Sequence, residues 1–167
     1  MSKLRRFYND GNVFFVTNVT YERKPILTDN AEILVSAIQR MLGLSNSELI
    51  AWVIMPDHFH MIVETGSENI SDIMHRIKLS FASTYRKQEH MRGGRVWQHR
   101  FWDHVIRDQV DLNRHIDYIH YNPVKHGLAT SPFNWKQSSI HKYAREGVYA
   151  TDWGQLKKLR YVGEFGE

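Results

Sequence analysis

The stretch Trp52-Val-Ile-Met-Pro-Asp-His58-Phe-His60-Met-Ile-Val-Glu64 predicts the centre of the fold. It consists of an apolar strand, a turn at Pro56-Asp57, and a second strand that carries two histidines. Because side chains on a strand alternate between faces, His58 and His60 point the same way, while the residues between and after them form an apolar back. Two imidazoles at this spacing can offer two nitrogen ligands to one metal ion. They can equally be ordinary strand histidines, one hydrogen-bonded and one exposed, and the stretch alone is compatible with either interpretation.

The length and composition predict one domain. A chain of 167 residues with 42% hydrophobic content can build one full core, so we expect a single domain over residues 1–167, with a core at about 10–128 and a C-terminal tail at 129–167. The sequence has no membrane-length apolar run and no signal peptide, so we expect a cytoplasmic protein. Because cysteine is absent, a bound metal must be held by nitrogen and oxygen donors.

The charge pattern is compatible with nucleic acid as a partner. The net charge is +4 and the sequence pI about 9.3, although many basic proteins bind no nucleic acid. Cations crowd one segment: Arg76, Lys78, Arg86, Lys87, Arg92, Arg95 and Arg100. Aromatic residues lie within and beside that segment: Tyr85, Trp97, Phe101 and Trp102. Cations mixed with stacking surfaces favour binding of single-stranded nucleic acid.

The periodicity along the chain predicts an α+β fold. A β-branched run predicts a strand over 13–20, and Asp29 with Glu32 has the form of a capping box for a helix that ends at Gly43. Strands are predicted at 49–55 and 58–64, a helix begins after Asn69, and Val96 to Arg107 is predicted as a fourth strand. This β-α-β-β-α-β order is typical of a ferredoxin-like antiparallel sheet with helices on one side.

A third helix is predicted from Gln109 to about His120. On a helical wheel its buried seam is formed by Leu112, Ile116 and Ile119. A polar stripe runs beside that seam and consists of Asp111, His115, Tyr118 and Asn122. Tyr121 falls opposite the core, so we expect it to be exposed. Pro123 disfavours a helical conformation for Asn122, which predicts a distorted last turn.

Two motifs together resemble a known family. The His-x-His strand after Met-Pro-Asp, combined with Tyr118-Ile-His-Tyr-Asn-Pro-Val-Lys-His-Gly127, resembles the single-tyrosine HUH transposases, and more closely the REP-associated tyrosine transposases. The resemblance implies that His58 and His60 bind a divalent metal, Mn²⁺ or Mg²⁺, and that Tyr118 is the nucleophile. It also implies that Asn122 completes the metal shell. Two imidazoles favour a nitrogen-binding metal, so manganese suits this donor set better than magnesium.

The resemblance implies metal-dependent cleavage and strand transfer of single-stranded DNA at hairpins, through a covalent 5′-phosphotyrosine, by a monomer or a homodimer. It also implies a prokaryotic, DNA-associated protein. Candidate phosphate contacts are Arg5, Arg6, Arg76, Lys87, Arg95, Arg100 and Lys125. Two alternatives stay open at this point. One is a hairpin-binding module without turnover, of repressor or nucleoid type. The other is a metal-dependent phosphodiesterase that uses water.

Overall fold

The computed structural model describes residues 12–155 and 165–166. The strands are β1 (Val13–Val19), β2 (Glu48–Ile54), β3 (His58–Glu64) and β4 (Trp102–Val105), and the helices are α1 (Ala31–Leu44), α2 (Ile70–Gln88), α3 (Gln109–Lys125) and α4 (Ile140–Arg145). Short 3₁₀ turns lie at Tyr21–Arg23 and Pro132–Asn134. None of the helices in this described part of the chain has the length and apolar content that crossing a membrane requires.

The four strands form one antiparallel sheet in the order β2-β3-β1-β4. This order and the β-α-β-β-α-β succession confirm the predicted ferredoxin-like arrangement. The histidine strand β3 lies between β2 and β1, so backbone hydrogen bonds hold it on both sides. His60 pairs with Thr17 of β1 and with Val53 of β2.

The sheet separates two apolar cores, as the strand alternation predicts. Phe59, Met61 and Val63 pack with α1 and α2 on one face. Ile62, from the same strand, packs with α3 on the other face. His58 and His60 share the parity of Ile62, so both imidazoles lie on the α3 side of the sheet.

Three local predictions were wrong. The fourth strand is only β4, and the segment before it contributes a single bridge between Thr20 and Trp97. The capping box does not form, because α1 starts after Asn30, whose side chain donates to the carbonyl of Ile26 and caps nothing. Helix α3 continues through Pro123 to Lys125, so the proline does not end it.

Residues 129–155 cover the outer side of α3. Tyr121 is therefore 4% exposed and lies near Trp153, so the expectation that it faces solvent was wrong. The helical wheel predicted that the face of α3 opposite the core is exposed to solvent, but residues 129–155 cover that face. His120 is fully buried between Ser139 (Nε2 to Oγ, 2.8 Å) and Tyr149 (Nδ1 to Oη, 2.7 Å). Tyr149 in turn donates its hydroxyl proton to Asp117, so it accepts from Nδ1–H of His120.

The burial of His120 predicts a specific acid sensitivity. Burial, reinforced by nearby His141, lowers the pKa of His120 from 6.5 to about 3. The unfolded chain binds a proton at this residue below pH 6.5 and the folded chain does not, so this contribution to stability is complete above pH 6.5 and is lost towards pH 3. We expect the loss to approach ~1.4 kcal/mol per pH unit. Urea unfolding at pH 7 and at pH 5 should show a smaller acid-induced loss for His120→Gln than for wild type.

The exposed His99 offers the matched control. His99→Gln should keep the wild-type difference between the two pH values. Equal acid sensitivity of His120→Gln and wild type would show that His120 does not remain neutral in the folded protein.

Candidate active site

The two strand histidines face each other in a buried position on the α3 side of the sheet. Their ring centroids are 5.0 Å apart, and both side chains are almost inaccessible to solvent. The Nδ1 atom of His60 lies 2.8 Å from Oγ1 of Thr17, and Nδ1 of His58 lies 2.6 Å from Oδ1 of Asp57. A histidine whose Nδ1 is held by a protein oxygen presents Nε2 as its metal-binding nitrogen. Each of the two rings can therefore offer Nε2 to a metal ion.

Asp57 orients His58 from the bend before β3. Burial raises the pKa of Asp57, but the hydrogen bond and charge of His58, with a further contribution from Arg23, outweigh it and hold that pKa below its usual value. The carboxylate therefore stays ionised at neutral pH and accepts the Nδ1 proton of His58. The sequence predicted Asp57 to be a turn residue or a surface charge; it lies in the bend as expected and also contacts the imidazole.

Tyr118 reaches the histidine pair from α3. Its ring centroid is 5.4 Å from that of His60, and the side chain is 1% exposed. The ammonium of Lys125, two helical turns later, donates to the phenol oxygen at 3.1 Å and lies 5.1 Å from the ring centre. A cation at this distance stabilises a phenolate relative to the neutral phenol. Lys125 was predicted as a phosphate contact, and its position beside Tyr118 is a second role that the sequence did not indicate.

The polar stripe predicted on α3 divides into two sites. Tyr118 faces the histidine pair, whereas Asp111 and His115 face His104 of β4. Burial is the main cause that lowers the pKa of His115, so its imidazole is neutral at pH 7. Asn122 is fully buried one turn after Tyr118. Of this stripe, Tyr118 lies beside the histidine pair, and Asp111 and His115 form a separate cluster with His104.

His126 is a site residue that the sequence reasoning missed. Its ring centroid is 5.3 Å from that of His58, and its side chain is exposed. It caps α3, where its backbone N–H donates to the carbonyl of Asn122. The spacing of four from Tyr118 to Asn122 and again to His126 could have identified it, because residues four apart share a helix face.

A residue near the end of the chain covers the tyrosine. The ring of Phe165 stacks on that of Tyr118, with centroids 3.8 Å apart and planes 9° apart. The carbonyl of Phe165 accepts a hydrogen bond from Thr17, the residue that also holds His60. The guanidinium of Arg114, a residue of α3, lies 5.5 Å from the centre of the Phe165 ring. No role was predicted for Phe165, because nothing in its local pattern distinguishes it from other aromatic residues of the tail.

The predicted phosphate contacts lie in different surroundings. Arg5 and Arg6 fall outside the described residues. Arg76 is paired with Glu68 at 3.0 Å, and Lys87 and Arg100 are exposed. Arg95 lies over the ring of Tyr21 at 5.1 Å and lines a groove between α2 and residues 95–101. Other groove cations are Lys78 and Arg86, and none of the described residues that line this groove is a carboxylate.

Comparison with known proteins places this geometry in context. The family described as Transposase IS200 like matches residues 9–122. A REP-associated tyrosine transposase of Escherichia coli (strain K12) is 36% identical, over 92% of this chain and 91% of that protein. A Haemophilus influenzae relative is 34% identical, over 98% of this chain and 99% of its own length. The solved structure of a REP-associated tyrosine transposase bound to a REP hairpin has a TM-score of 0.76 and 32% identity, and the match covers 98% of this chain and 100% of that chain.

The stacking of Phe165 predicts that its removal exposes Tyr118. In Phe165→Ala the phenol loses its covering ring, so tetranitromethane should nitrate Tyr118 at least about tenfold faster than in wild type. This ratio corresponds to a loss of roughly 1.4 kcal/mol of protection. Peptide mass spectrometry measures the nitration rate. Phe133→Ala removes a half-buried ring away from the site and should leave the Tyr118 rate unchanged. Equal nitration rates in wild type and Phe165→Ala would show that the ring does not control access.

Proposed function

The chain belongs to the family of IS200-like transposases, and from this membership we propose that it cleaves and rejoins single-stranded DNA at hairpins through a covalent 5′-phosphotyrosine. Family membership makes it a tyrosine transposase and confirms the resemblance drawn from its two motifs. The observation that carries the proposed chemistry is the meeting of Tyr118 with His60 (ring centroids 5.4 Å apart) and Lys125. This arrangement contains a nucleophile, a cation beside it, and a pair of imidazoles for a metal.

The donor set fits a divalent metal. We assign Nε2 of His58, Nε2 of His60 and the side-chain oxygen of Asn122 as its ligands. Two nitrogens and one neutral oxygen, with no carboxylate among them, suit Mn²⁺ better than Mg²⁺, which prefers oxygen ligands. When bound, such an ion would polarise the scissile phosphate and offset the charge that develops on it. The exposed ring of His126 beside His58 is placed to contact either the ion or the DNA.

Tyr118 performs the transfer in this proposal. Its phenol oxygen attacks the phosphorus, an O–P bond to tyrosine forms, and the bond from phosphorus to the 3′-oxygen breaks. The phenol proton is lost to solvent, and the departing 3′-oxygen takes up a proton to become a free 3′-hydroxyl. Lys125 stabilises the phenolate before the attack, since its ammonium already contacts that oxygen. The phosphotyrosine keeps the bond energy, so a 3′-hydroxyl can later reverse the step without a nucleotide cofactor.

The basic groove between α2 and residues 95–101 is our candidate path for the DNA. Its outer segment pairs with the end of β1, because Tyr21 donates to the carbonyl of Val96 and Gln98 donates to that of Val19. Val19 is in turn the partner of His58 across the sheet. The segment 96–98 therefore lies two strand spacings, about 10 Å, from β3 at His58, and its groove opens on the α2 side of the sheet, opposite the histidines. A DNA strand that extends from the active site around the sheet can meet this groove, whose described lining residues include three cations and no carboxylate.

We propose that one chain forms a complete site within a single domain over residues 1–167. Tyr118 already contacts His60 of the same chain, which supports cleavage in cis by a monomer and does not require a partner's tyrosine. The match to a relative solved with a REP hairpin supports a hairpin-bearing substrate. The basic residues Arg95, Arg100 and Lys87 are the candidate phosphate contacts nearest the groove or its rim.

Two tyrosines of α3, Tyr118 and Tyr121, allow a test of which residue is the nucleophile. With Mn²⁺ and a labelled oligonucleotide that carries a hairpin, wild type should give a covalent protein–DNA adduct on denaturing gels. Tyr118→Phe should give no adduct and Tyr121→Phe should keep it, because only Tyr118 faces the histidines. Cleavage without an adduct would identify a hydrolase that uses water, and binding without cleavage would identify a DNA-binding module.

Lys125 is expected to set the rate of attack near neutral pH. Removing one charged hydrogen-bond donor costs about 1.5–3 kcal/mol, so Lys125→Ala should slow single-turnover adduct formation by roughly 10- to 150-fold at pH 7. The defect should shrink towards pH 10, where an ordinary phenol ionises unaided. Lys125→Arg should recover part of the rate, and Lys136→Ala, at an exposed lysine elsewhere, should be neutral. A defect of the same size at every pH would instead indicate that Lys125 only binds DNA.

A further inference from the structure

A second cluster of metal-ligating side chains lies on the same face of the sheet, next to the tyrosine helix. It consists of His104 on β4, with Asp111 and His115 on the first turns of α3. One donor atom from each of the three residues lies within 4.8 Å of the others. The cluster lines a cavity of about 340 Å³ that Trp102, Arg114 and Phe165 complete, and it shares no residue with the His58 and His60 pair.

The spacing of the donors is close to that of a coordination shell. Nε2 of His104 lies 2.8 Å from one carboxylate oxygen of Asp111, and Nδ1 of His115 lies 3.2 Å from the other. Two donors that each lie about 2.1 Å from a zinc ion are separated by about 3.4 Å in a tetrahedral site. Each imidazole is therefore already near the Asp111 carboxylate, but the two contacts reach different oxygens. Nδ1 of His115 also lies 2.8 Å from the backbone carbonyl of Asp111, a hydrogen bond that a cation bound at this nitrogen would replace. The two imidazole rings stack with centroids 4.7 Å apart and planes 15° apart, so one ring has to turn for both in-plane nitrogen lone pairs to reach the same ion.

We propose that His104, Asp111 and His115 form a second divalent-cation site, selective for Zn²⁺ and independent of the metal pair His58 and His60. Two imidazoles and one carboxylate are a donor set that zinc accepts, with water in the fourth position. The inference does not depend on the proposed function, because it concerns different residues. The imidazole nitrogens bind the cation only when they carry no proton, so protons compete with it and binding weakens at low pH.

The neighbouring charges allow a cation to enter. Arg107 is the cation nearest Asp111, with Nε 3.5 Å from the carboxylate, but its side chain is 73% exposed and can turn into solvent at little cost. Arg114 lies over the ring of Phe165. The backbone N–H of Arg107 also donates to Asp111 and holds the carboxylate in place when the side chain leaves. Asp111 additionally lies in the first turn of α3, where the helix dipole stabilises its negative charge.

A cation here would join the edge of the sheet to the helix of the nucleophile. His104 belongs to β4, a strand of only four residues, and His115 precedes Tyr118 by three residues on α3. Such a link fixes the start of α3 against the sheet and restrains the position of Tyr118. The site is therefore structural in character and is expected to bind its metal in the absence of DNA.

The test is zinc binding to the full chain, purified without a histidine tag. Titration calorimetry with Zn²⁺ alone gives the stoichiometry, and visible absorption of bound Co²⁺ reports a tetrahedral site with nitrogen ligands. We expect His104→Gln and Asp111→Asn each to lose one equivalent of zinc, or to bind that equivalent at least tenfold more weakly. His99→Gln is the control for an exposed histidine, and His58→Gln with His60→Gln is the control for the other metal pair.

The outcomes separate the two sites. Loss of one equivalent in His104→Gln and Asp111→Asn, with that equivalent retained in the double variant of His58 and His60, supports the proposal whether or not the other pair also binds zinc. Circular dichroism of the two conservative variants verifies that they are folded. Unchanged stoichiometry and affinity in both folded variants, or complete loss of zinc in the His58 and His60 double variant alone, would overturn it.

Discussion

The pairing of β3 with a neighbour on each side is the constraint on which the site depends. A central strand has its backbone hydrogen bonds satisfied from both edges, so its side chains have fixed heights and directions. The backbone at His58 and His60 is therefore held rigidly, and hydrogen bonds to Thr17 and Asp57 orient the two imidazole rings. The tyrosine, by contrast, is carried by a helix that contacts only one face of the sheet. One half of the site is thus set by the sheet, and the other half by how α3 packs against it.

Much of the fold was predicted from hydrophobic periodicity, and the errors of that prediction have identifiable causes. Strand alternation predicted both faces of β3, and helical spacing predicted α1, α2 and α3. The exposure of Tyr121 was mispredicted because a wheel describes one helix and contains no information on the segment that covers it. The extent of α3 was underestimated because tertiary packing holds Pro123 within the last turn of the helix. Boundaries such as that of β4 depend on strand partners that are distant in sequence.

The site residues that were predicted from the sequence lie in short motifs. His58, His60 and Tyr118 lie in motifs whose spacing places them on defined faces, and the structure brings the tyrosine to the histidine pair. The second role of Lys125 was not predictable from its charge alone, because its contact with the phenol requires the actual path of α3 after the proline. Phe165 could not be predicted at all, since its contact with Tyr118 joins residues 47 positions apart. Contacts of that kind are fixed by the folded chain and leave no periodic pattern.

The close contact between Gly166 and Trp102 has an optical consequence. Gly166 has a φ of 74°, and a Cβ placed there would lie 2.6 Å from the Cβ of Trp102 and 2.7 Å from its Cγ, so only glycine lets the backbone approach the indole this closely. Indole emission depends on its surroundings, and this ring also lies near His104. A chain in which the other four of the five tryptophans are replaced would carry an intrinsic fluorophore that senses directly whether residues 165–166 are seated on the sheet.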